Sequence, residues 1–85
     1  MEREFVIKNE QGIHARPATN LVQLANQFQC ELNLVFNGVS VDLKSIMGVL
    51  SLGVTRGSLI TIRANGVDDN AALSKISQFI QELNK

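Results

Sequence analysis

One short stretch of the sequence brings together the residues that could do chemistry. It reads Gly-Ile-His-Ala-Arg-Pro over residues 12 to 17, and it holds the chain's only histidine and only proline. Pro17 has a fixed φ near the helical value and no N–H to lose, which suits the first turn of a helix. The N-terminus of a helix offers unpaired N–H groups and a partial positive charge, and both favour a bound phosphate or other anion. Because imidazole is a nucleophile, His14 with Arg16 beside it is a candidate acceptor of an anionic group.

Each of these residues also has an ordinary explanation. A lone histidine in a small domain is more often part of the surface or the core than of a functional site. Arg16 alone could be a solvated charge, and Pro17 alone could simply mark where a helix begins. The functional interpretation of His14 depends on the three residues occurring together ahead of a helix.

The composition is that of one small globular domain, residues 1–85. Hydrophobic residues make up 45% of the chain and charged residues 19%, which is not a disordered composition. Eight basic and eight acidic residues balance. Direct nucleic-acid binding is therefore not expected, because that class normally carries a basic excess.

The same inventory predicts where the protein works. One cysteine, Cys30, cannot form an internal disulfide, which fits a reducing compartment. No second histidine is available to activate it, so we expect no catalytic role for this thiol. No apolar run approaches the roughly 18 residues of a membrane span, and the first residues lack the features of a signal peptide. We expect a cytoplasmic protein without membrane insertion, and nothing indicates more than a monomer.

Hydrophobic periodicity predicts three helices. The apolar spacing at Leu21, Leu24 and Phe28 predicts an amphipathic helix from about Pro17 to Phe28. Ser45 is a natural N-cap for a short helix over residues 46–52. The last helix ends near residue 83, and we expect Asp68 or Asp69 to cap its start.

Alternation of apolar and polar residues predicts four strands, over residues 3–8, 31–37, 39–43 and 60–64. The Asn37-Gly38 pair predicts a type I′ hairpin turn between the second and third strands. The element order is β-α-β-β-α-β-α, and each strand has one apolar face, so the fold class is a two-layer α+β sandwich. The pattern leaves the strand order open, because a split βαβ ferredoxin-like fold would give much the same string.

The short second helix has more apolar residues than one buried stripe needs. These are Ile46, Met47, Val49, Leu50 and Leu52. We expect some of them to stay exposed, where apolar patches often mark a partner surface. A short helix that is buried on most sides is the alternative.

Two stretches closely resemble the HPr family, the histidine-containing phosphocarriers of the bacterial phosphoenolpyruvate-dependent sugar phosphotransferase system. They are residues 12–19, Gly-Ile-His-Ala-Arg-Pro-Ala-Thr, and residues 43–53, Leu-Lys-Ser-Ile-Met-Gly-Val-Leu-Ser-Leu-Gly. The likeness runs over the whole chain, and the Ile-Met-Gly-Val form resembles the Gram-positive branch. It implies an open-faced β-sandwich with an antiparallel sheet of order 1-4-2-3 and three helices on one face. It also implies a phosphocarrier rather than an enzyme, and the sequence offers no ligand cluster for a metal or cofactor.

The resemblance implies a role for each matching residue. His14 matches the histidine that enzyme I phosphorylates at Nδ1 and that then passes the phosphoryl group to the IIA domains of sugar permeases. Ser45 matches the serine that HPr kinase/phosphorylase modifies to make a corepressor for the catabolite control repressor. Arg16 matches the arginine that neutralises the phosphate. The phosphate-binding helix start covers Ala15, Arg16, Pro17 and Ala18, and the docking positions are Thr19, Ile46, Met47 and Leu50.

Three positions depart from the family pattern. Gln11 stands where serine or threonine is common, Asn20 replaces a usually apolar residue, and Gln27 replaces a usual lysine. They lie on or near the surface that would meet partners. We expect them to affect partner affinity rather than the chemistry.

Two other functions compete with the phosphocarrier. One is a mainly regulatory HPr-like protein that acts through phospho-Ser45, although the presence of His14 argues against that as its sole role. The other is an RNA-binding module, because β-α-β-β-α-β is also the element string of an RRM. That class needs exposed aromatic and basic residues on its central strands. Phe5 and Phe36 lie instead on core-type faces, and the net charge is zero.

Overall fold

The computed structural model describes every residue, 1–85, and contains the seven expected elements in the expected order. They are β1 (Glu2–Val6), α1 (Ala15–Ala25), β2 (Glu31–Phe36), β3 (Val39–Asp42), α2 (Ile46–Ser51), β4 (Leu59–Asn65) and α3 (Asp69–Leu83). The strands form one antiparallel sheet in the order β1-β4-β2-β3. This confirms the open-faced sandwich and answers the question of strand order that the pattern had left open.

The core lies between the helices and one face of the sheet. Because side chains alternate across a strand, β4 directs Ile60, Ile62 and Ala64 to the helix side, where each is at most 1% exposed. The paired strand β2 contributes Leu32 and Leu34 to the same layer. The helices supply the opposing layer, which includes Leu21, Ala25, Leu73, Ile76 and Ile80. The other face of the sheet is open to solvent.

Helix α1 begins and ends earlier than the apolar pattern predicts. It starts at Ala15, two residues before Pro17, because the first four N–H groups of a helix have no acceptor and a proline among them loses nothing. Its end is held by Asn26, whose Nδ2 donates to the carbonyls of Val22 and Lys44 at 2.9 and 3.2 Å. The chain then leaves the α-helix through a turn, so the predicted extension to residue 28 is wrong.

The hairpin between β2 and β3 is confirmed. Asn37 has φ +52° and Gly38 has φ +77°. A type I′ turn requires positive φ at both central residues, which is why this dipeptide was a reliable signal.

Asp68 stands at the N-cap position of α3, but its side chain does not cap the helix. The carboxylate instead accepts from the backbone N–H groups of Gln29 and Cys30, both at 2.9 Å. The bond from Gln29 is the main reason why the pKa of Asp68 is lowered. The predicted cap is therefore wrong, and Asp68 connects the start of α3 to the start of β2.

Cys30 lies just before β2 and is 2% exposed. Burial, followed by the neighbouring carboxylate of Asp68, raises the pKa of its thiol. A raised pKa disfavours the thiolate, which is the reactive form. The absence of a catalytic role for Cys30 stays a prediction, and its environment is that of an inert buried thiol.

No helix of the structure combines the length and the apolar character that a membrane crossing requires.

Candidate functional site

The loop that carries His14 is fixed against the segment that follows α2. Gly12 has φ +66°, and a Cβ at this position would overlap the carbonyl oxygen of Val54. The next residue, Ile13, is 5% exposed, and its N–H donates to the same Val54 carbonyl at 3.0 Å. A glycine is needed here both for the positive φ and for the close approach of two backbone segments. The chain therefore reaches His14 from a buried anchor, while His14 itself is exposed.

His14 is the N-cap residue of α1 and leaves the helix start open. Its backbone is extended, with φ −95° and ψ −169°, and its side chain makes no capping hydrogen bond. The N–H groups of His14, Ala15 and Arg16 have no partner in the chain, and Pro17 has no N–H. The first helical bond runs from Ala18 N–H to the His14 carbonyl at 2.9 Å. With no acidic residue in the first turn, these donors and the helix dipole are available to an anion.

Arg16 is exposed and forms no ion pair. With Pro17 and Asn20 it lines one side of a cleft of about 260 Å³ between the start of α1 and the end of α3. Glu82 lies across this cleft, but its carboxylate is paired with Lys85 at 3.0 Å. The guanidinium is thus free to meet an anion on His14, two positions away in sequence.

Ser45 caps α2 as the sequence predicts. Its Oγ accepts from the N–H of Gly48 at 3.1 Å. Ser45 stands at the start of the helix, whereas Val54, which contacts the His14 loop, follows its end. At 1.5 Å per residue, the 6 residues of α2 span roughly 9 Å between these two ends. The structure therefore connects Ser45 and the His14 loop to opposite ends of one short helix.

The exposed apolar patch predicted on α2 is confirmed. Met47 is 78% exposed, Ile46 39% and Leu50 38%, whereas Val49 is 1% exposed. One buried residue anchors the helix, so the alternative of a helix buried on most sides is wrong. We call Ile46, Met47 and Leu50 the α2 patch.

The remaining docking position and the three departures lie on or near the surface. Thr19 is half-buried, and its hydroxyl donates to the Ala15 carbonyl at 2.8 Å along α1. Gln11, Asn20 and Gln27 are all exposed. Their effect on partners stays a prediction.

The sequence analysis missed Asn9. This residue is half-buried, and its Nδ2 donates to the carbonyl of Gly12 at 2.6 Å. An asparagine shortly before a glycine in a loop is a signal that could have found it, because asparagine side chains bond to nearby backbone groups. Nowhere in the chain do three or more His, Cys, Asp or Glu side chains come together as a possible metal site.

Comparison with known proteins gives consistent matches over nearly the whole chain. The family model described as the PTS HPr component phosphorylation site matches residues 1–82. The crystal structure of HPr-C-His from Thermoanaerobacter tengcongensis is 36% identical with a TM-score of 0.94, over 99% of this chain and 94% of that one. HPr from Bacillus anthracis is 36% identical with a TM-score of 0.90, over 95% and 96%.

A third similar structure is Crh, a catabolite repression protein of Bacillus subtilis. It is 38% identical with a TM-score of 0.78, over 95% of this chain and 93% of that one, and it was crystallised as a dimer with a swapping domain.

The family match over residues 1–82 identifies a small phosphocarrier domain rather than an enzyme, and the structure has an exposed histidine at an open helix start. The chain belongs to the HPr family, the phosphocarriers of the phosphotransferase system. Its structural neighbours include HPr proteins of Gram-positive-type bacteria, as the Ile-Met-Gly-Val motif indicates. Membership of this family shows that the chain is not an RRM.

Proposed function

We propose that the chain accepts a phosphoryl group from phosphorylated enzyme I on His14 and passes it to sugar-specific IIA domains during sugar uptake. The observation that carries this proposal is the open start of α1. His14 is exposed there, three backbone N–H groups lack partners, and no acidic residue repels an anion.

The transfer is a displacement at phosphorus. The lone pair of the His14 Nδ1 forms the new N–P bond while the bond between phosphorus and enzyme I breaks and returns its electron pair to enzyme I. Phosphoryl transfer depends mainly on positioning and on stabilising charge on the phosphoryl oxygens. The N–H groups of Ala15 and Arg16 supply fixed donors at the helix start, while Pro17 and Ala18 complete its first turn. The second transfer, to a IIA domain, repeats the displacement with His14 as the leaving group.

Arg16 supplies a mobile charge beside these fixed donors. Its guanidinium has no ion-pair partner in the chain, so it can follow the phosphoryl group without first breaking a salt bridge. A guanidinium can also meet two phosphate oxygens at once. It stabilises the charged group on His14 and releases it during transfer to the next partner.

Enzyme I and the IIA domains dock on the α2 patch and on Thr19. The patch exposes three large apolar side chains on a single short helix, which is a typical centre for a protein interface. A partner seated there is close to the His14 loop, because that loop contacts the segment directly after α2.

Ser45 is a regulatory phosphorylation site for HPr kinase/phosphorylase, and the phosphorylated form is a corepressor for the catabolite control repressor. Its position supports this role, because a phosphate at a helix N-cap lies where the dipole favours negative charge. The second candidate function is a mainly regulatory protein that acts through phospho-Ser45. The similarity to the catabolite repression protein Crh favours it, and His14 argues against it as the sole role.

The protein works as a cytoplasmic monomer that binds neither DNA nor RNA. A free buried thiol and a balanced charge support this proposal. The swapped dimer of Crh is the alternative arrangement, and light scattering across a concentration series distinguishes the two.

The central proposal is tested by incubating the protein with enzyme I, Mg²⁺ and phosphoenolpyruvate, and then measuring its intact mass. The native chain should gain one acid-labile phosphoryl group, and His14→Ala should gain none while keeping its fold. Acid-labile phosphate on the variant would overturn the assignment.

A further inference from the structure

The carboxamide of Asn9 closes the loop that leads to His14. Its Nδ2 donates to the Gly12 carbonyl at 2.6 Å, and the N–H of Gly12 donates back to the Asn9 carbonyl at 3.1 Å. A reversed carboxamide would place two acceptor oxygens at the same 2.6 Å separation. The orientation with Nδ2 toward Gly12 is therefore the one that the contact requires.

This bond acts on the peptide unit next to His14. The Gly12 carbonyl and the Ile13 N–H belong to one planar peptide group. The carbonyl accepts from Asn9, and the N–H donates to the Val54 carbonyl at 3.0 Å. With both polar groups bonded, the plane cannot rotate without breaking one of these bonds. Its orientation fixes the direction in which the chain enters His14.

The other polar atom of the Asn9 side chain has no such partner. Its Oδ1 is buried and makes no hydrogen bond. An unpaired buried acceptor is unfavourable for stability. The Nδ2 bond to Gly12 is therefore the only hydrogen bond that the Asn9 side chain makes within the chain, and its removal affects this one loop contact.

We propose that Asn9 is a positioning residue for phosphoryl transfer, which holds the Gly12–Ile13 peptide so that His14 stays aligned with the open N–H groups of α1. This inference rests on the proposed function of His14. Asn9 does not touch the phosphoryl group. It acts through the backbone, and a small misalignment of the reacting atom is enough to slow transfer severely.

The test compares Asn9→Ala with native protein in single-turnover transfer from phosphorylated enzyme I at saturating concentration. We expect the transfer rate to fall on the order of tenfold, with little change in the concentration of half-saturation. Amide hydrogen exchange at Ile13 should accelerate more than exchange in the core strands. An unchanged rate, or uniformly faster exchange throughout the protein, would overturn the positioning role.

Two further variants separate positioning from general stability. Asn26→Ala removes a carboxamide that also makes two side-chain bonds, at the far end of α1, roughly 18 Å from His14. It should lower the melting temperature and leave the saturated rate unchanged. Asn9→Asp keeps the shape of the side chain but cannot donate a hydrogen bond to the Gly12 carbonyl. Its added negative charge could also repel the phosphoryl group, and high salt screens that repulsion. If the lost hydrogen bond is the cause, transfer should stay slow at high salt. A native rate in Asn9→Asp, or an equal loss in Asn26→Ala, would count against the inference.

Different results would contradict the proposed function of His14 and the positioning role of Asn9. If native protein takes up no phosphate on His14, the proposed function itself is wrong. If native protein is phosphorylated on His14 and Asn9→Ala is equally fast, only the role of Asn9 is wrong.

Discussion

The N–H of Ile13 donates to the carbonyl of Val54 at 3.0 Å, which joins the loop before His14 to the chain just after α2. The bond connects two features whose joined residues are 41 positions apart in sequence, the proposed phosphoryl-acceptor loop and the helix with the exposed α2 patch. Because Gly12 packs against the same carbonyl, the junction is a backbone contact with no side chain between its two segments. A partner that docks on α2 therefore meets a histidine whose position is already fixed relative to its docking surface.

The first prediction tests this junction with Gly12→Ala. The added Cβ would overlap the Val54 carbonyl, and φ +66° is unfavourable for alanine. We expect a loss of about 2–4 kcal/mol in the free energy of unfolding, measured in urea. Gly38→Ala is the matched control, because Gly38 has φ +77° and nothing within 4 Å of the added Cβ. It should lose only the backbone contribution of a left-handed φ, about 1–2 kcal/mol. Equal losses in the two variants would show that the close approach is unimportant.

The second prediction concerns Arg16→Lys. An ammonium group keeps the charge but cannot reproduce the two-pronged contact of a guanidinium with phosphate. Single-turnover transfer from enzyme I should slow, while the binding affinity for enzyme I changes little. Arg63→Lys is the control, because Arg63 pairs with Glu2 at 3.4 Å on the open face of the sheet. If both variants transfer at the native rate, Arg16 has no direct role.

The third prediction follows from the lowered pKa of Asp68. A carboxyl group with a lower pKa in the folded than in the unfolded state stabilises the fold above its unfolded pKa of about 4. That contribution is lost as the pH falls through the folded pKa. Asp68→Asn should therefore destabilise the protein at pH 7, and its difference from native should shrink below about pH 4.

Urea unfolding at neutral and acidic pH measures this effect, with Asp69→Asn as the control. Asp69 lies one residue further along, and its side chain makes no hydrogen bond to another segment, so its variant should lose less. A constant difference between Asp68→Asn and native protein at all pH values would contradict the explanation.

The sequence predicts those features whose cause is local. The hairpin follows from the φ requirement at Asn37 and Gly38, and the capping of α2 follows from the reach of a serine hydroxyl to a nearby N–H. The open start of α1 is likewise predicted from Pro17 and its neighbours. In each case the residue and its partner are within a few positions of one another.

Features that depend on contacts between residues far apart in the sequence could not be predicted from sequence patterns. The alternation of apolar and polar residues predicts that β1 and β4 are strands, but it does not predict that they pair with each other. Only the family resemblance indicates this pairing. Asp68 looked like a helix cap because nothing nearby reveals its bonds to Gln29 and Cys30, almost 40 residues away. The role of Ile13 as an anchor depends in the same way on Val54.

The last prediction concerns Ser45 and separates a helix cap from a switch. Ser45→Ala removes the acceptor for the Gly48 N–H and should cost roughly 0.5–2 kcal/mol in the free energy of unfolding. Phosphoryl transfer to His14 should stay near the native rate. The His14 loop contacts Val54, which follows the C-terminal end of α2, whereas Ser45 caps the N-terminal end. Ser51→Ala is the control within the same helix. Its hydroxyl donates to the Gly48 carbonyl at the C-terminal end, where capping by serine contributes less.

Phosphorylation of Ser45 should act differently from its removal. The phosphate brings a charge of about −1.5 to −2 to the helix N-terminus, where the dipole favours it, so the melting temperature should hold or rise slightly. The same charge stands beside Met47 and Leu50, which a docking partner must bury, and desolvating it is costly. Phospho-Ser45 should therefore weaken enzyme I binding and slow phosphorylation of His14. Thermal melts and enzyme I titrations of the native, Ser45→Ala and phosphorylated forms measure both effects. A phosphorylated form that melts far below the native protein would mean inhibition by unfolding, and the docking explanation would then be wrong.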